Sequence, residues 1–521
     1  MQLRVISNSS YLTSNELKTY IQLLAKDHGA SLGDKIGTAD LTEEQMKTFT
    51  GLNYDQLTEV ASTLKSMRNV ERRSVVQALV IFLFKLRTGN SNEVISAVFG
   101  LANPQYVNEI TTSVVNSFEK DVLPSKFGYS ARTREDLIRN ETSPFVKTLY
   151  GTTGLALIFD GTYLRHGKSS NNLYQRKSYS GQKKTHLCKP FTICTTTGYV
   201  VDMLLPSEAN LNDAQIMKWA LDTGLKDFLQ PGDDCFVDRG FRDVKGDLEN
   251  MGFLVRMPLC LGGNKQFTAA QANESRFVTK IRWAVESVHG IIKQKYRIFD
   301  HRIDNNLLPK IGIMLRIAGH INNMYGKRLS SDRHMQDEVV KRMLRMQNAP
   351  NTLGEEAAAN NWNRVQRPWI DVTSDSIVDF PDLTEEQLKI LFTGSYQLKQ
   401  AVSYLAEMLD EADTMNLKYH RDNTNILKLQ VQSRHSNANK YRCYIDYVPN
   451  SRGVEGIKRH YCECKSGART VGCCSHIAAV LYFLANARYR YRIIRPAEIL
   501  TNLFRHDPSV PVIADHSDDD D

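Results

Sequence analysis

An α/β domain, preceded by an all-helical block and followed by a small cysteine-rich α+β module, is the fold class that the sequence predicts. Three observations predict it. Apolar residues recur at helical spacing through 74–86 and 104–118, short continuous apolar runs alternate with amphipathic helices from about residue 154, and four cysteines fall within thirteen residues near the end.

At about 150 residues per domain, 521 residues correspond to three or four domains. A chain with 41% hydrophobic and 24% charged residues is ordinary globular material, which excludes fibrous or wholly disordered protein. The longest nearly apolar run, 75–84 with Gln77 inside it, is half of the roughly 20 residues a membrane helix needs, so no span is expected. The start, Met1-Gln2-Leu3-Arg4, has no apolar stretch before a cleavage site, and an intracellular protein is expected. Lysine and arginine number 66 against 58 acids, giving +8, and part of the acid sits in the tail 515–521. The remainder is therefore mildly cationic, which is compatible with a nucleic-acid partner without requiring one. Cys188, Cys194, Cys235 and Cys260 lie singly in apolar or strand-like surroundings, as reduced core thiols do.

Residues 1–40 are polar and carry no cysteine and histidine set. The helical block, 41–135, begins at Thr42-Glu43-Glu44, and a helix over 74–86 ends near Thr88-Gly89-Asn90. Ser91 caps a helix over 92–99, Gly100 stops it, and Asn103-Pro104 opens another whose inward face is Tyr106, Val107, Ile110, Val114, Val115 and Phe118. Helix, glycine turn, helix is the helix-turn-helix layout, whose second helix would enter a major groove; a plain three-helix bundle has the same local pattern. In the α/β domain, 150–327, a strand over 155–159 ends in Asp160-Gly161, and a hairpin over 189–205 turns at Thr197-Gly198. A helix over 214–225, a strand over 235–237 ending in Asp238, a strand over 253–258, and a long helix over 276–296 bearing Trp283, Val285, Val288, Ile291 and Ile292 follow, with more helix to about Lys327. The polar segment 328–380 reads as a linker. The C-terminal domain, 381–500, contains a helix over 384–409 and strands over 426–431 and 441–448; an acidic tail, 501–521, follows, of which 515–521 is expected to be disordered. The pentapeptide Leu41-Thr42-Glu43-Glu44-Gln45 matches 383–387, which reads as two similar helix starts rather than a repeat.

Asp160 and Asp238 both stand at the end of an apolar run before a glycine turn, and chemistry in open α/β sheets collects at the carboxyl ends of strands. Taken singly, each has the pattern of a turn or cap residue. On the closing helix, Arg282, Glu286, His289 and Lys293 follow one another at intervals of 4, 3 and 4 residues and so share a face, which has the pattern of a solvated stripe when read alone. Combined, three carboxylates from two strand ends and a helix could hold two magnesium ions for phosphodiester displacement, with cationic side chains beside them for phosphate charge.

The segments 158–162, 179–186, 213–216, 237–241 and 282–290 resemble, in order, the characteristic blocks of D-D-E transposases of the PIF/Harbinger and IS5-like type. The resemblance covers about 150–325 and implies a ribonuclease H-like core in which Asp160, Asp238 and Glu286 are the acidic triad holding catalytic Mg²⁺ or Mn²⁺. It carries over Lys183, Lys184 and His186 as a basic block for DNA, for which a hairpin role is the alternative. Arg239, Arg282, His289 and Lys293 are further candidate DNA contacts. Asp213 is an accessory position, since Asn212 and Ala214 stand where relatives often have histidine and serine. The implied activity is DNA cleavage and strand transfer on double-stranded element ends and target. The implied setting is nuclear, with a homo-oligomer and a Myb-like DNA-binding partner as possibilities. A domesticated DNA- or chromatin-binding protein and a plain metal-dependent nuclease are the alternatives.

Cys462, Cys464, Cys474 and His476 form two close ligand pairs, three thiolates and an imidazole, as a closed tetrahedral zinc site requires, with Cys473 as a competing thiol. The spacing resembles SWIM zinc fingers, here over about 441–485, which implies one structural zinc and a DNA- or protein-binding module. Arg469 and the run 488–492 interleave cations with aromatics in a pattern suited to a nucleic-acid backbone.

Overall fold

A computed structural model of the chain describes residues 41–490 apart from 71–72, 330–332, 410–412 and 435, together with Lys18, Ile21 and Ile493. The acidic tail and, but for Lys18 and Ile21, the segment 1–40 lie outside the described residues. Among the described residues no helix is long and apolar enough to cross a membrane.

The helical block comprises Glu43–Thr50, Tyr54–Thr63, Val75–Thr88, Asn92–Phe99 and Pro104–Ser117. Thr42, Asn53 and Ser74 each cap a helix reciprocally with a glutamine three residues on, satisfying backbone donors that the first turn leaves unpaired. Gly89 and Gly100 end two helices at φ +65° and +63°, a left-handed conformation that glycine adopts without strain. Every position from Ala78 to Leu86 is buried, because this helix sits between the rest of the block and the α/β domain. One apolar core runs continuously from the block to the helices on the sheet.

The α/β domain is built on a mixed seven-stranded sheet. β1 (Ala156–Gly161) pairs antiparallel with β4 (Thr185–Thr195) and parallel with β6 (Asp234–Phe236), which pairs parallel with β7 (Leu254–Arg256). On its other side β4 pairs with β5 (Val200–Glu208), while short β2 (Leu164–Arg165) and β3 (Tyr179–Ser180) pair with its beginning. Alternation along β1 decides the layers: Ala156 and Ile158 join the core beneath helices Ala269–Lys295 and Leu308–Tyr325, whereas Leu157 and Phe159 join the opposite core with helix Asp213–Ala220. On helix Ala269–Lys295, Phe277, Ile281, Val285, Val288 and Ile292 are buried. At about 1.5–3 kcal/mol each, these apolar contacts rather than the polar stripe hold the helix on the sheet.

Four expectations are corrected. The long helix starts at Ala269, not 276, because Thr268 and Gln271 form a capping box there. The segment expected to be a linker, 328–380, holds helices Arg333–Met346 and Thr352–Ala359 and strand β8 (Trp369–Thr373), with Leu353, Trp362 and Trp369 buried beside Tyr444. Its polar composition concealed an apolar face. The helix expected over 384–409 is two, Glu385–Leu391 and Tyr396–Met408, parted where Thr393 and Gly394 adopt φ +60° and +141°. Cys260 is exposed, unlike Cys188, Cys194 and Cys235.

The C-terminal module is an antiparallel sheet in the order β12-β11-β10-β9-β8, with β9 Asn416–His420, β10 Asn423–Ser433, β11 Ser436–Tyr447 and β12 Ile457–Cys462. Helix Ser475–Ala485, nearly all apolar, is buried against Tyr396–Met408.

Candidate functional site

The pairing of β1 with β6 matches Ile158 to Phe236, so Asp160, still within β1, and Asp238, just past the end of β6, each two residues further along, stand side by side. Their even positions put them on the face that packs against helix Ala269–Lys295. There the stripe that resembled a solvated face is turned inward. An Arg282 Nη lies 3.5 Å from Asp160 Oδ1 and 3.8 Å from Asp238 Oδ2, and His289 Nδ1 lies 3.8 Å from Asp160 Oδ2. His289 Nε2 hydrogen-bonds Thr192 Oγ1 at 2.9 Å, Thr192 being the β4 partner of Asp160, and Lys293 Nζ donates to the Tyr163 carbonyl at 3.1 Å. Glu286, one turn from both Arg282 and His289, is exposed and bears electrostatically on Asp160.

Burial pushes the Asp160 carboxyl up to about 8; Arg282 opposes this, and Asp238, Asp213 and Glu286 add to it. Three neighbouring carboxylates around a buried fourth form an oxygen donor set in need of positive charge, which fits hard divalent cations. Burial, with Lys293 and Arg282, brings His289 down to about 3, so at neutral pH it is an uncharged ring and its contact with Asp160 is not an ion pair. Arg282 Nε is buried with no hydrogen-bond partner.

Asp213, read from sequence only as an accessory position, belongs to this cluster. Asn212 caps its helix by accepting from Gln215 N at 2.8 Å, and Ala214 is buried in the core, which accounts for both residues that differ from the family pattern. A β-carbon on Gly161 would lie 2.9 Å from Asp213 Oδ1, and one on Gly240 would lie 2.8 Å from Asp213 Oδ2 and 2.9 Å from Asp238 Oδ1. Gly161, one residue after Asp160, and Gly240, two residues after Asp238, therefore leave room for a further carboxylate from the other face of the sheet. The paired glycines were the signal in the sequence.

The remaining candidates are only partly brought together. Lys183 Nζ sits 5.6 Å from the centre of the Tyr163 ring, three residues beyond Asp160. Lys184 occupies the β3–β4 turn at φ +48°, and His186 packs on Tyr179 and meets Ser178 Oγ at 3.2 Å, a hairpin environment. Arg239 is turned away from the carboxylates: its Nε donates to the Leu259 carbonyl at 3.1 Å and its guanidinium covers Phe267. The expected nucleic-acid strip at 488–492 is corrected where it is described. Arg488 donates to the Ser374 and Ile377 carbonyls and Arg490 pairs with Glu385, while 491–492 lie outside the described residues. Arg469 is buried rather than exposed. The helix pair 92–117 is present, but Pro104–Ser117 has neither lysine nor arginine for a phosphate backbone.

The ligand atoms of Cys462, Cys464, Cys474 and His476 all lie within 4.8 Å of one another and all four residues are buried. Cys462 ends β12, Cys464 follows in a turn, and Cys474 immediately precedes helix Ser475–Ala485. A β-carbon on Gly467 would lie 2.1 Å from the Cys462 carbonyl oxygen, so the knuckle closes only around glycine. Though buried, Cys474 is held well below the usual thiol range by hydrogen bonds with Cys462, Cys464 and His476. Three sulfurs and an imidazole with this convergence suit a closed tetrahedral Zn²⁺ site. Cys473 lies outside the set, near Arg276, Arg469 and Arg342. Cys443, which the sequence did not flag, is paired across the sheet with Cys462 at 3.6 Å between sulfurs, a contact that only strand register could reveal.

Residues 159–323 match the family model described as DDE superfamily endonuclease. No curated protein and no solved structure matches the chain. The match spans Asp160, Asp213, Asp238 and Glu286 and supports a transposase-like nuclease domain. Such a domain implies a ribonuclease H-like core, with which the strand order β5-β4-β1-β6-β7 agrees. Endonucleases of this kind use divalent metal ions and act on DNA.

Proposed function

We propose that the chain is a DNA transposase of the PIF/Harbinger type, or a nuclease derived from one, that cleaves phosphodiester bonds and transfers strands in the nucleus. The observation that carries this reading is the meeting of Asp160, Asp238 and Glu286 at two parallel strand ends beneath one helix. Asp160 and Asp238 would hold divalent metal from the sheet, Glu286 would close the site from the helix, and Asp213 would add a fourth carboxylate beside them. Two Mg²⁺ or Mn²⁺ ions bound there would activate the attacking oxygen and stabilise the leaving one. Arg282, placed between Asp160 and Asp238, would be free to turn toward substrate phosphate with the carboxylates held by cations, and its unpaired Nε would supply a donor. Uncharged His289 keeps Thr192 and Asp160 in place rather than moving a proton. Water attacks phosphorus and leaves a 3′-hydroxyl and a 5′-phosphate; the 3′-hydroxyl then attacks a target phosphodiester and expels its 3′-oxygen. The C-terminal module is a SWIM-type finger holding one structural Zn²⁺ through Cys462, Cys464, Cys474 and His476. A Myb-like partner supplies the phosphate contacts that helix Pro104–Ser117 lacks, and assembly on paired element ends involves a homo-oligomer.

The test is nicking of supercoiled plasmid by zinc-loaded protein with Mg²⁺ or Mn²⁺, beside Asp160→Asn, Asp238→Asn and Glu286→Gln. The expected result is a loss of about 10²–10³-fold in each variant with folding unchanged. Equal nicking by wild type and variants would overturn the assignment.

A further inference from the structure

The loop between the two halves of the cysteine and histidine cluster is bonded to the first turns of the helix that bears Glu286. Gln266, three residues before that helix, donates through Nε2 to the carbonyls of Cys462 and Cys464, both at 2.7 Å, and accepts at Oε1 from Tyr461 at 3.1 Å. Phe267 N–H donates to the Lys465 carbonyl at 3.0 Å. One turn into the helix, Asn273, fully buried, accepts from the backbone amides of Thr470 and Val471 at 2.8 and 2.9 Å and donates to Thr470 Oγ1 at 2.8 Å. Arg276, also buried, donates to Thr393 Oγ1 and O and to Gln397 Oε1 at 3.1–3.3 Å, all of them neutral acceptors on the C-terminal module. A buried guanidinium and a buried amide are costly unless these bonds are made, so the docking is specific rather than incidental.

We propose that the Cys462, Cys464, Cys474 and His476 site is a positioning device for the acidic centre: metal held there fixes the loop 463–474, and through Gln266 and Asn273, with Arg276 anchored beside them on Thr393 and Gln397, that loop fixes the register of the helix carrying Arg282, Glu286 and His289. The inference rests on the zinc and D-D-E readings and adds a link between them. Glu286 lies ten residues past Arg276, about 15 Å or under three turns along one continuous helix, so a fixed first segment fixes the carboxylate. Coupling of this kind is reciprocal. Loss of the thiolate-bound metal weakens divalent-ion binding at the carboxylates, and ion binding at the carboxylates protects the knuckle.

The experiment uses the full-length chain in three states: loaded with Zn²⁺ or Co²⁺, stripped by chelator, and loaded Gln266→Ala. Co²⁺ substitution reports the thiolate site by its thiolate-to-metal absorption, amide hydrogen exchange reports the helix, and free Mn²⁺ by electron paramagnetic resonance reports the carboxylates. The expected result is that stripping raises exchange in both 457–476 and 269–290 and weakens Mn²⁺ binding about tenfold. Gln266→Ala is expected to keep the Co²⁺ absorption while reproducing part of the Mn²⁺ loss. Faster exchange confined to 457–476, with 269–290 and the Mn²⁺ affinity unchanged, overturns the coupling. Absence of Co²⁺–thiolate absorption overturns the zinc reading beneath it. If Mn²⁺ does not bind while stripping still loosens 269–290, the mechanical link stands and the D-D-E reading fails.

Discussion

The two clusters of chemically active side chains are opposites in construction. Cys462, Cys464, Cys474 and His476 come from fifteen consecutive residues and are sealed from solvent, whereas Asp160, Asp213, Asp238 and Glu286 come from four separate elements and leave Glu286 exposed. A closed set of four protein ligands has no place for a substrate and can only hold structure. An open set of carboxylates crowded against one another is unfavourable without a cation and leaves room for phosphate. Local spacing thus suffices to gather a candidate structural metal site, while gathering a candidate reactive one depends on strand register and on the helix that closes it.

The largest expected effect breaks the closed site. Cys464→Ser removes one of the four proposed zinc ligands, and because structural zinc supplies folding free energy outright, the C-terminal module should melt roughly 10 °C or more lower, measured by calorimetry on zinc-loaded protein. An unchanged melt would mean that the cluster holds no metal. A smaller effect sharpens the open site. Gly240→Ala places a β-carbon 2.8 Å from Asp213 and 2.9 Å from Asp238, so both carboxylates must move; nicking should fall about tenfold with little change in melting temperature. A fully active variant would remove Asp213 from the site.

The smallest effect is a pH dependence. In the metal-free fold the Asp160 carboxyl is raised to about 8, so the folded chain keeps a proton that the unfolded chain releases above its ordinary value of 3.8. The resulting stability is fully present below about pH 4 and is lost as pH rises through about 8. The metal-free melting temperature should therefore fall by a few degrees between pH 5 and 8.5, less so in Asp160→Asn and less so with Mg²⁺ present. A flat profile in the wild type would mean that Asp160 is ionised throughout.

Much of the fold was legible because local physics wrote it. Capping boxes at Thr42, Ser74 and Thr384, apolar runs in β1 and β6, and the turn at Gly198 set elements within a few residues of their expected places. The linker expectation failed because helix Arg333–Met346 is polar on average and helix Thr352–Ala359 is short, and both gain their stability from tertiary burial of residues such as Met343, Leu353 and Ala357. Arg469 and Arg488 resembled surface cations in sequence and are instead internal donors or buried groups, since composition carries no information about which side chain a neighbouring element covers.

By itself the sequence determined the nearness of Cys462, Cys464, Cys474 and His476, which follows from short chain spacing, and the presence of Asp160 and Asp238 at strand ends and of Glu286 on a helix. Only the tertiary structure decided that Asp213 joins them, that Cys443 abuts Cys462, and that the knuckle docks on the helix of Glu286. Those three facts depend on register between strands and on contacts between segments about 200 residues apart, which no local pattern encodes.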